Sequence, residues 1–310
     1  MSDPHTTAGR WPDFLVIGAG RAGTTSLHRY LARHPDVFLP KTKAPSHWYA
    51  VGRPGVHDLP ASFVRSETAY RALFADSERA QVCGEVSPVY LAATDVAAKA
   101  VERMPDIRVV AILRHPVDRV YARWVARRRD GLEAQSTFEA LIDAEAATLE
   151  QVEDAHATYL AGGIVSPMLH TWFDLIPADR RLVLWFEDFA RDTAGVMRTV
   201  CDFIGVNPSL DLGTAQAHNA SGGRIRNPLL RAAWAGSYPL RRLVRPFMPA
   251  VARDAAFRLA TRGVSPLPLA TPTRARLTAL YADEIRALGA LTGRDLSAWL
   301  EPAAAGMRRA

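Results

Sequence analysis

The segment Phe14–Leu31 constrains the fold of this 310-residue chain more than any other part of the sequence. It reads FLVIGAGRAGTTSLHRYL, an apolar run followed by a loop with glycines at positions 18, 20 and 23. Thr24 then begins an amphipathic helical pattern. Glycines let backbone N–H groups point inward at a helix N-terminus, where the helix dipole favours negative charge. The segment therefore predicts an anion-binding loop between a strand and a helix.

The cation of this loop distinguishes it from the nucleotide-binding P-loop. Gly18 and Gly23 have the P-loop spacing G-x-x-x-x-G, but Thr24 stands where the P-loop has its lysine. The cation is instead Arg21, inside the loop. A P-loop kinase or nucleoside triphosphatase is disfavoured because this lysine is replaced and no Walker-B aspartate follows a predicted strand. That class stays an alternative, as does a nucleotide-binding protein without catalytic activity.

Alternating patterns along the chain predict an α/β fold with a parallel sheet flanked by helices. Short apolar runs predict strands at Phe14–Ile17, Val82–Cys83, Arg108–Leu113 and Arg181–Phe186. Helical patterns predict helices at Thr24–His34, Asp95–Arg103, Val117–Arg129 and Thr193–Phe203. The glycine loop, Glu85 and Arg114 each come after an apolar run, and ligands bind beyond the carboxyl ends of parallel strands. We therefore expect these three features to face one crevice.

Composition and charge limit the number of domains and the classes of function. With 48% hydrophobic residues and no evident linker, the sequence predicts one P-loop-like domain over residues 12–301 and a flexible tail at 302–310. The net charge is +6, but no helix-turn-helix or aromatic-basic pattern indicates nucleic-acid binding. No targeting peptide and no apolar run of about 20 residues is evident, so we expect no transmembrane segment and a cytoplasmic location.

Four segments follow one another in an informative order. They are GAGRAGTTSL at 18–27, CGEVSPVYL at Cys83–Leu91, LRHPVDRVYARW at Leu113–Trp124 and HNASGGRIRNPLL at His218–Leu230. Together they resemble the ordered motifs of sulfotransferases that use 3′-phosphoadenosine 5′-phosphosulfate (PAPS), in particular those of the carbohydrate or heparan type. The resemblance covers nearly the whole chain, and four motifs in order are more specific than any one of them.

The resemblance implies a set of residues that bind the nucleotide. The loop for the 5′-phosphosulfate comprises Arg21, Ala22, Gly23, Thr24, Thr25 and Ser26. Arg114 is expected to hold the 3′-phosphate, although the serine that accompanies it in the family is Ala122 here. A basic loop is expected to close over the nucleotide with Ser221, Gly222, Gly223, Arg224 and Arg226. The donor is then PAPS, the product is adenosine 3′,5′-bisphosphate (PAP), and no metal is required.

The same resemblance assigns catalytic and acceptor-binding residues. Glu85 is expected to be the general base that takes the proton of an acceptor hydroxyl, and Arg21 is expected to bind the charge on the leaving phosphate. Lys43 and His47 lie in KTKAPSHWYA, which resembles the acceptor-site segment, with Ala44 where the family has a glutamate. His47 is the rival base.

The acceptor is expected to be a hydroxyl of a small molecule or a glycan. The Ala- and Arg-rich composition suggests a bacterial genome rich in G and C, and with it a role in secondary metabolism or on a cell-envelope glycolipid. A homodimer stays open as the assembly state. These expectations concern the substrate and its setting rather than the fold.

Overall fold

A computed structural model describes residues 9–51, 60, 62–130, 132–133, 135, 137–146, 149, 158–214 and 268–301. The described residues form two compact units. The first unit comprises 9–114, 165–214 and 290–293, and the second comprises those within 115–164, 268–289 and 294–301. The predicted nucleotide-closing residues Ser221, Gly222, Gly223, Arg224 and Arg226 and the predicted tail at 302–310 lie outside the described residues.

The first unit is built on a parallel sheet of five strands. In chain order these are β1 (Phe14–Gly18), β2 (Val37–Phe38), β3 (Val82–Val86), β4 (Arg108–Leu113) and β5 (Arg181–Trp185). Their spatial order is β2-β3-β1-β4-β5, and every neighbouring pair is parallel. All residues of β1 and β3 are buried, which explains why central strands of a parallel sheet read as continuous apolar runs.

Helices intervene between these strands, as the alternating pattern predicts. In chain order they are α1 (Thr24–Leu31), α2 (His47–Ala50), α3 (Glu67–Ala72), α4 (Thr94–Arg103), α5 (Pro116–Asp130), α6 (Phe138–Ala146), α7 (Ser166–Leu175), α8 (Phe186–Arg191), α9 (Thr193–Ile204), α10 (Thr271–Leu280) and α11 (Ala282–Thr292). None of the helices in the described ranges has both the length and the apolar character needed to cross a membrane.

The second unit packs helices around aromatic side chains. Tyr121 and Trp124 of α5 contact Phe138 of α6, with ring centroids 5.0 and 5.5 Å from the Phe138 ring. Arg274 of α10 forms an ion pair with Asp118 of α5. These contacts join α5, α6 and α10 into one compact body, whose residues carry no part of the site described below.

The predicted α/β fold with its parallel sheet is confirmed, with differences at the ends of elements. Strand β3 continues through Glu85 to Val86, so Glu85 lies inside the strand rather than after it. The strand reaches this far because Glu85 and Val86 pair with Leu15 and Val16 of β1. Gly84 gives the Phe14 ring room in this pairing, since a β-carbon there would lie 2.2 Å from Phe14 Cζ. Helix α1 ends at Leu31, three residues before the predicted end, and the two-residue strand β2 is too short to be predicted from periodicity.

Candidate active site

The loop between β1 and α1 has the backbone of an anion-binding loop. Gly23 precedes α1 with φ 96°, and a β-carbon there would lie 3.2 Å from the rings of Phe186 and Phe189. Arg21 is also in the left-handed region, with φ 69°, and its side chain is exposed. The first N–H groups of a helix lack carbonyl partners one turn earlier. The Ser26 N–H donates to the Gly23 carbonyl at 2.9 Å, so the N–H groups of Thr24 and Thr25 are those that α1 can direct at an anion.

The side chains of this loop divide into buried and exposed groups. Ala22 is completely buried, and Thr24 and Ser26 are also buried, so these residues fix the loop against the core. Thr25 is exposed, and its Oγ1 accepts a hydrogen bond of 2.5 Å from Lys43 Nζ. Lys43 belongs to the segment before α2, so a second part of the chain brings an ammonium group to the loop. We call Gly18–Ser26 together with Lys43 the donor loop.

Arg114 lies directly after β4 and contacts the same loop. Its Nη1 donates a hydrogen bond of 3.1 Å to the carbonyl oxygen of Arg21. Its guanidinium group lies over the ring of Phe186, 4.3 Å from the centroid. The structure thus places Arg114 and Lys43 at the loop that carries Arg21 and Thr25. Glu85, which the sequence predicts at the same crevice, lies buried in a separate cluster.

His28, on α1, is a residue of this region that the sequence does not indicate. Burial, together with the positive charges of Lys43 and Arg29, lowers the pKa of His28 to about 4. The imidazole is therefore neutral at pH 7 in a corner dominated by cations. The sequence does contain one indication that His28 lies near the loop. It follows Thr25 by three residues, and positions three apart lie on the same face of a helix.

Glu85 lies at the centre of a buried polar cluster. The residue is 1% exposed, and its Oε1 accepts hydrogen bonds from the Ser46 N–H (3.1 Å), the Tyr90 hydroxyl (2.7 Å) and the Ser87 hydroxyl. Its Oε2 accepts from the Tyr70 hydroxyl at 2.5 Å. Burial raises the pKa of the Glu85 carboxyl, while the four donors act in the opposite direction. We call Ser46, Tyr70, Glu85, Ser87 and Tyr90 the Glu85 cluster.

His47 is attached to this cluster through Tyr70. The two rings are stacked, with centroids 4.5 Å apart and an interplanar angle of 13°. The Nδ1 of His47 lies 2.9 Å from the carbonyl oxygen of Val64. Because a carbonyl oxygen only accepts, Nδ1 carries the proton in the neutral ring, and Nε2 keeps a lone pair. Burial lowers the pKa of His47, although the Val64 carbonyl and the Glu67 charge act in the opposite direction.

The segment from Lys43 to His47 links the two groups of residues. Lys43 contacts the donor loop, and Ser46 and His47 contact the Glu85 cluster. Tyr70 and Ser46 are members of the site that the sequence analysis does not single out, because their partner Glu85 is far away along the chain. The assignment of Glu85 as the base stays a prediction.

Comparison with known proteins identifies the class to which this fold and site belong. A sequence model described as the sulfotransferase family matches residues 12–209, which is more than half of the chain. The chain therefore belongs to the sulfotransferase family. The predicted resemblance is confirmed, and the kinase or triphosphatase alternative is not favoured.

Relatives of known activity match over part of their length. The chain is 26% identical over 216 residues to the human bifunctional heparan sulfate N-deacetylase/N-sulfotransferase 2, a match that covers 66% of this chain and 23% of that protein. It is 25% identical over 198 residues to the mouse heparan sulfate glucosamine 3-O-sulfotransferase 3B1, covering 63% of this chain and 46% of that protein. The chain thus spans less than half the length of both relatives.

A solved structure matches over almost the whole chain. It is the crystal structure of a sulfotransferase from Alicyclobacillus acidocaldarius, 25% identical, with a TM-score of 0.69. The match covers 94% of this chain and all of that chain. The sheet and helices described above are therefore those of a sulfotransferase fold.

Proposed function

We propose that this protein transfers the sulfuryl group of PAPS to a hydroxyl or amine of a carbohydrate or small-molecule acceptor. The observation that carries the proposal is the donor loop, where Lys43 binds Thr25 Oγ1 and Arg114 binds the Arg21 carbonyl. Lys43 and Arg114 thus contact the loop that carries Arg21 and leads into the N-terminus of α1. Sulfuryl transfer needs positioning and charge stabilisation of the leaving phosphate, much as phosphoryl transfer does.

The residues present fit the charges of the donor. Arg21, Ala22, Gly23, Thr24, Thr25 and Ser26 would bind the 5′-phosphosulfate through N–H groups, hydroxyls and a guanidinium group. Arg114 follows the neighbouring strand β4, and its guanidinium group suits two-point binding of the 3′-phosphate. Ser221, Gly222, Gly223, Arg224 and Arg226 complete the proposed nucleotide site, and PAP is the product released.

The acceptor side of the proposal rests on Lys43, His47 and Glu85. Lys43 and His47 lie on the same short segment, which reaches from the donor loop to the Glu85 cluster. Two of the relatives act on heparan sulfate by name, which favours a glycan hydroxyl or amine. An acceptor bound along this segment would lie beside both Lys43 and the two candidate proton acceptors, Glu85 and His47.

The test is PAPS-dependent transfer to a defined set of acceptors. Purified protein is incubated with PAPS and N-deacetylated heparosan oligosaccharides, glucosaminides or simple phenols, and products are analysed by mass spectrometry. We expect one sulfuryl group on at least one acceptor, with equimolar PAP. A parallel reaction with ATP and magnesium is the control. Phosphorylated product from ATP, or no PAPS-dependent product from any acceptor class, would contradict the proposal.

Several finer expectations from the sequence accompany this proposal. They are a catalytic domain over residues 12–301, a flexible tail at 302–310, a cytoplasmic location, a bacterial source with a role in secondary metabolism, and a homodimer. Nothing in the donor loop or the Glu85 cluster depends on them. They are proposals about setting and assembly, separate from the chemistry of the site.

A further inference from the structure

The Glu85 carboxylate is surrounded by donors in a way that does not suit a proton acceptor for a substrate. A general base must lie within hydrogen-bond reach of the proton it removes. Glu85 is 1% exposed, and both of its oxygens already accept hydrogen bonds, from Ser46, Ser87 and Tyr90 on Oε1 and from Tyr70 on Oε2. Three donors occupy Oε1, and Oε2 keeps a lone pair beside the Tyr70 hydroxyl. Because the residue is buried, an acceptor hydroxyl reaches that lone pair only by disturbing the packing of the cluster.

The His47 imidazole is buried like Glu85, with 3% of the residue exposed, but it differs in keeping an acceptor atom that no donor in the described part of the chain occupies. Its Nδ1 is held by the Val64 carbonyl, so the ring is fixed in the tautomer with a lone pair on Nε2. Among the residues that the structure describes, Nε2 has no hydrogen-bond partner. The ring is held from one face by Tyr70, whose hydroxyl binds Glu85 Oε2.

The backbone around His47 also depends on Glu85. Ala44 and Ser46 are non-glycine residues in the left-handed region, with φ of 52° and 48°. This conformation is unfavourable by about 1–2 kcal/mol per residue, so surrounding contacts must hold it. Glu85 Oε1 supplies one of them by accepting from the Ser46 N–H, and Tyr90 supplies another by accepting from the Trp48 N–H at 3.3 Å.

We propose that Glu85 is a positioning residue of the transfer reaction, which fixes the segment 44–48 and the His47 ring so that Nε2 of His47 takes the acceptor proton. The inference rests on the proposed sulfuryl transfer and differs from the sequence-based expectation that Glu85 itself is the base. Glu85 acts through two routes, the Ser46 N–H and the stacked ring of Tyr70.

The proton and electron balance of the step is simple. The acceptor oxygen or nitrogen forms a bond to sulfur, and the bond between sulfur and the 5′-phosphate oxygen breaks. The bonding electron pair goes to that phosphate oxygen, and the acceptor proton goes to Nε2 of His47. The imidazolium that forms returns its proton to solvent after PAP leaves.

A double-mutant cycle tests whether Glu85 acts through His47. PAPS-dependent transfer to N-deacetylated heparosan oligosaccharide, or to a glucosaminide or phenol if that acceptor is turned over instead, is measured for Glu85→Gln, His47→Gln and the double variant. We expect kcat to fall at least ~10²-fold in His47→Gln and on the order of 10-fold in Glu85→Gln. The double variant should be no slower than His47→Gln alone, because the two residues act as a unit.

Hydrogen exchange supplies a readout that does not require turnover. Glu85→Gln and Tyr70→Phe should both increase exchange in the peptide covering 44–51, while His47→Gln should leave that exchange unchanged. All three should keep the affinity for PAP measured by calorimetry. Glu78→Gln is the matched control, since it removes an exposed carboxylate in the helical turn Ala75–Arg79 and should change neither exchange nor turnover. Tyr70→Phe keeps the test decisive if Glu85→Gln does not fold.

Results that contradict the positioning role of Glu85 can be told apart from results that contradict sulfuryl transfer. Multiplicative losses in the double variant, or an active His47→Gln with an inactive Glu85→Gln whose exchange is unchanged, would overturn the inference and restore Glu85 as the base. Unchanged exchange in both Glu85→Gln and Tyr70→Phe would also overturn it. A wild-type protein that gives no PAPS-dependent product would instead overturn the proposed function.

Discussion

The donor loop and the Glu85 cluster differ in which parts of the chain form them and in where their hydrogen-bond donors are directed. The donor loop is mostly one continuous stretch, Gly18–Ser26, to which Lys43 is added by its hydrogen bond to Thr25 Oγ1. The Glu85 cluster draws Ser46, Tyr70, Ser87 and Tyr90 from separate positions around one buried carboxylate, and its donors are used within the protein. In the proposed reaction, the first region would bind the anionic donor and the second would fix the residues beside the acceptor.

The electrostatics of the two regions also differ. Beside the donor loop, burial lowers the pKa of His28, and the charges of Lys43 and Arg29 act in the same direction. In the Glu85 cluster, burial raises the pKa of the carboxyl, and four hydrogen-bond donors act in the opposite direction. Burial disfavours charge in both regions; neighbouring cations add to its effect at His28, whereas neighbouring donors oppose it at Glu85.

The largest effect that we expect to distinguish the two regions is a pH dependence of the free energy of unfolding that arises from His28. Its folded pKa of about 4 lies below the ordinary value of 6.5, so the unfolded chain binds the proton more tightly. The free energy of unfolding of the wild type therefore falls as the pH is lowered from 6.5 towards 4. Between pH 7 and pH 4 it should fall by about 3 kcal/mol more than that of His28→Gln. Urea unfolding of both proteins across this range measures the difference. His170→Gln, which replaces an exposed histidine, is the control. If the stability of wild type and His28→Gln changes with pH in the same way, His28 does not have a lowered pKa in the folded protein.

The next effect concerns Arg114 and separates binding of the nucleotide from support of the loop. Arg114→Ala should weaken PAP binding by about 2–3 kcal/mol, because a charge-assisted two-point contact is lost. Binding of 5′-AMP, which lacks the 3′-phosphate, should weaken much less. Arg114→Lys keeps the charge without the planar fork and should be intermediate. Calorimetry gives the dissociation constants, and equal losses for both nucleotides would mean that Arg114 only supports the Arg21 carbonyl.

A smaller effect tests whether the donor loop depends on backbone conformation. Gly23→Ala should lower the free energy of unfolding by about 1–2 kcal/mol, since φ is 96° at this position. Gly20→Ala is the matched control, because no heavy atom lies within 4 Å of a β-carbon built there. It should change stability by less than about 0.5 kcal/mol. Equal stabilities of the two variants in chemical denaturation would contradict this view of the loop.

The contrast between the two regions also explains what the sequence predicts and what it does not. Strands β1 and β4 and the positions of Arg21 and Arg114 follow from contiguous patterns, because local backbone geometry determines them. The environment of Glu85 does not, because its donors are contributed by Ser46, Tyr70 and Tyr90 through tertiary packing. Glu85 also interrupts the apolar run, so the predicted strand ends at Cys83, whereas β3 continues to Val86 because Glu85 and Val86 pair with β1.

His28 and Lys43 illustrate the same limit on the donor side. The sequence places His28 on a helix, but its low pKa arises from burial and from Lys43, which comes from another segment. Lys43 itself is named by resemblance, and its contact with Thr25 Oγ1 becomes visible only in the folded chain. The charges that surround His28 and Thr25 therefore depend on tertiary contacts as well as on the residues of the glycine motif.

The most direct test of the account is a comparison of two nucleotides by calorimetry on the wild-type protein. PAP should bind without magnesium and at least ~10-fold more tightly than ATP with magnesium, because Thr24 replaces the P-loop lysine and Arg114 is the expected contact of the 3′-phosphate. PAP binding should also persist in the presence of a chelator. Equal or tighter binding of magnesium–ATP would contradict the central claim that the donor loop is built for a 3′-phosphorylated sulfuryl donor.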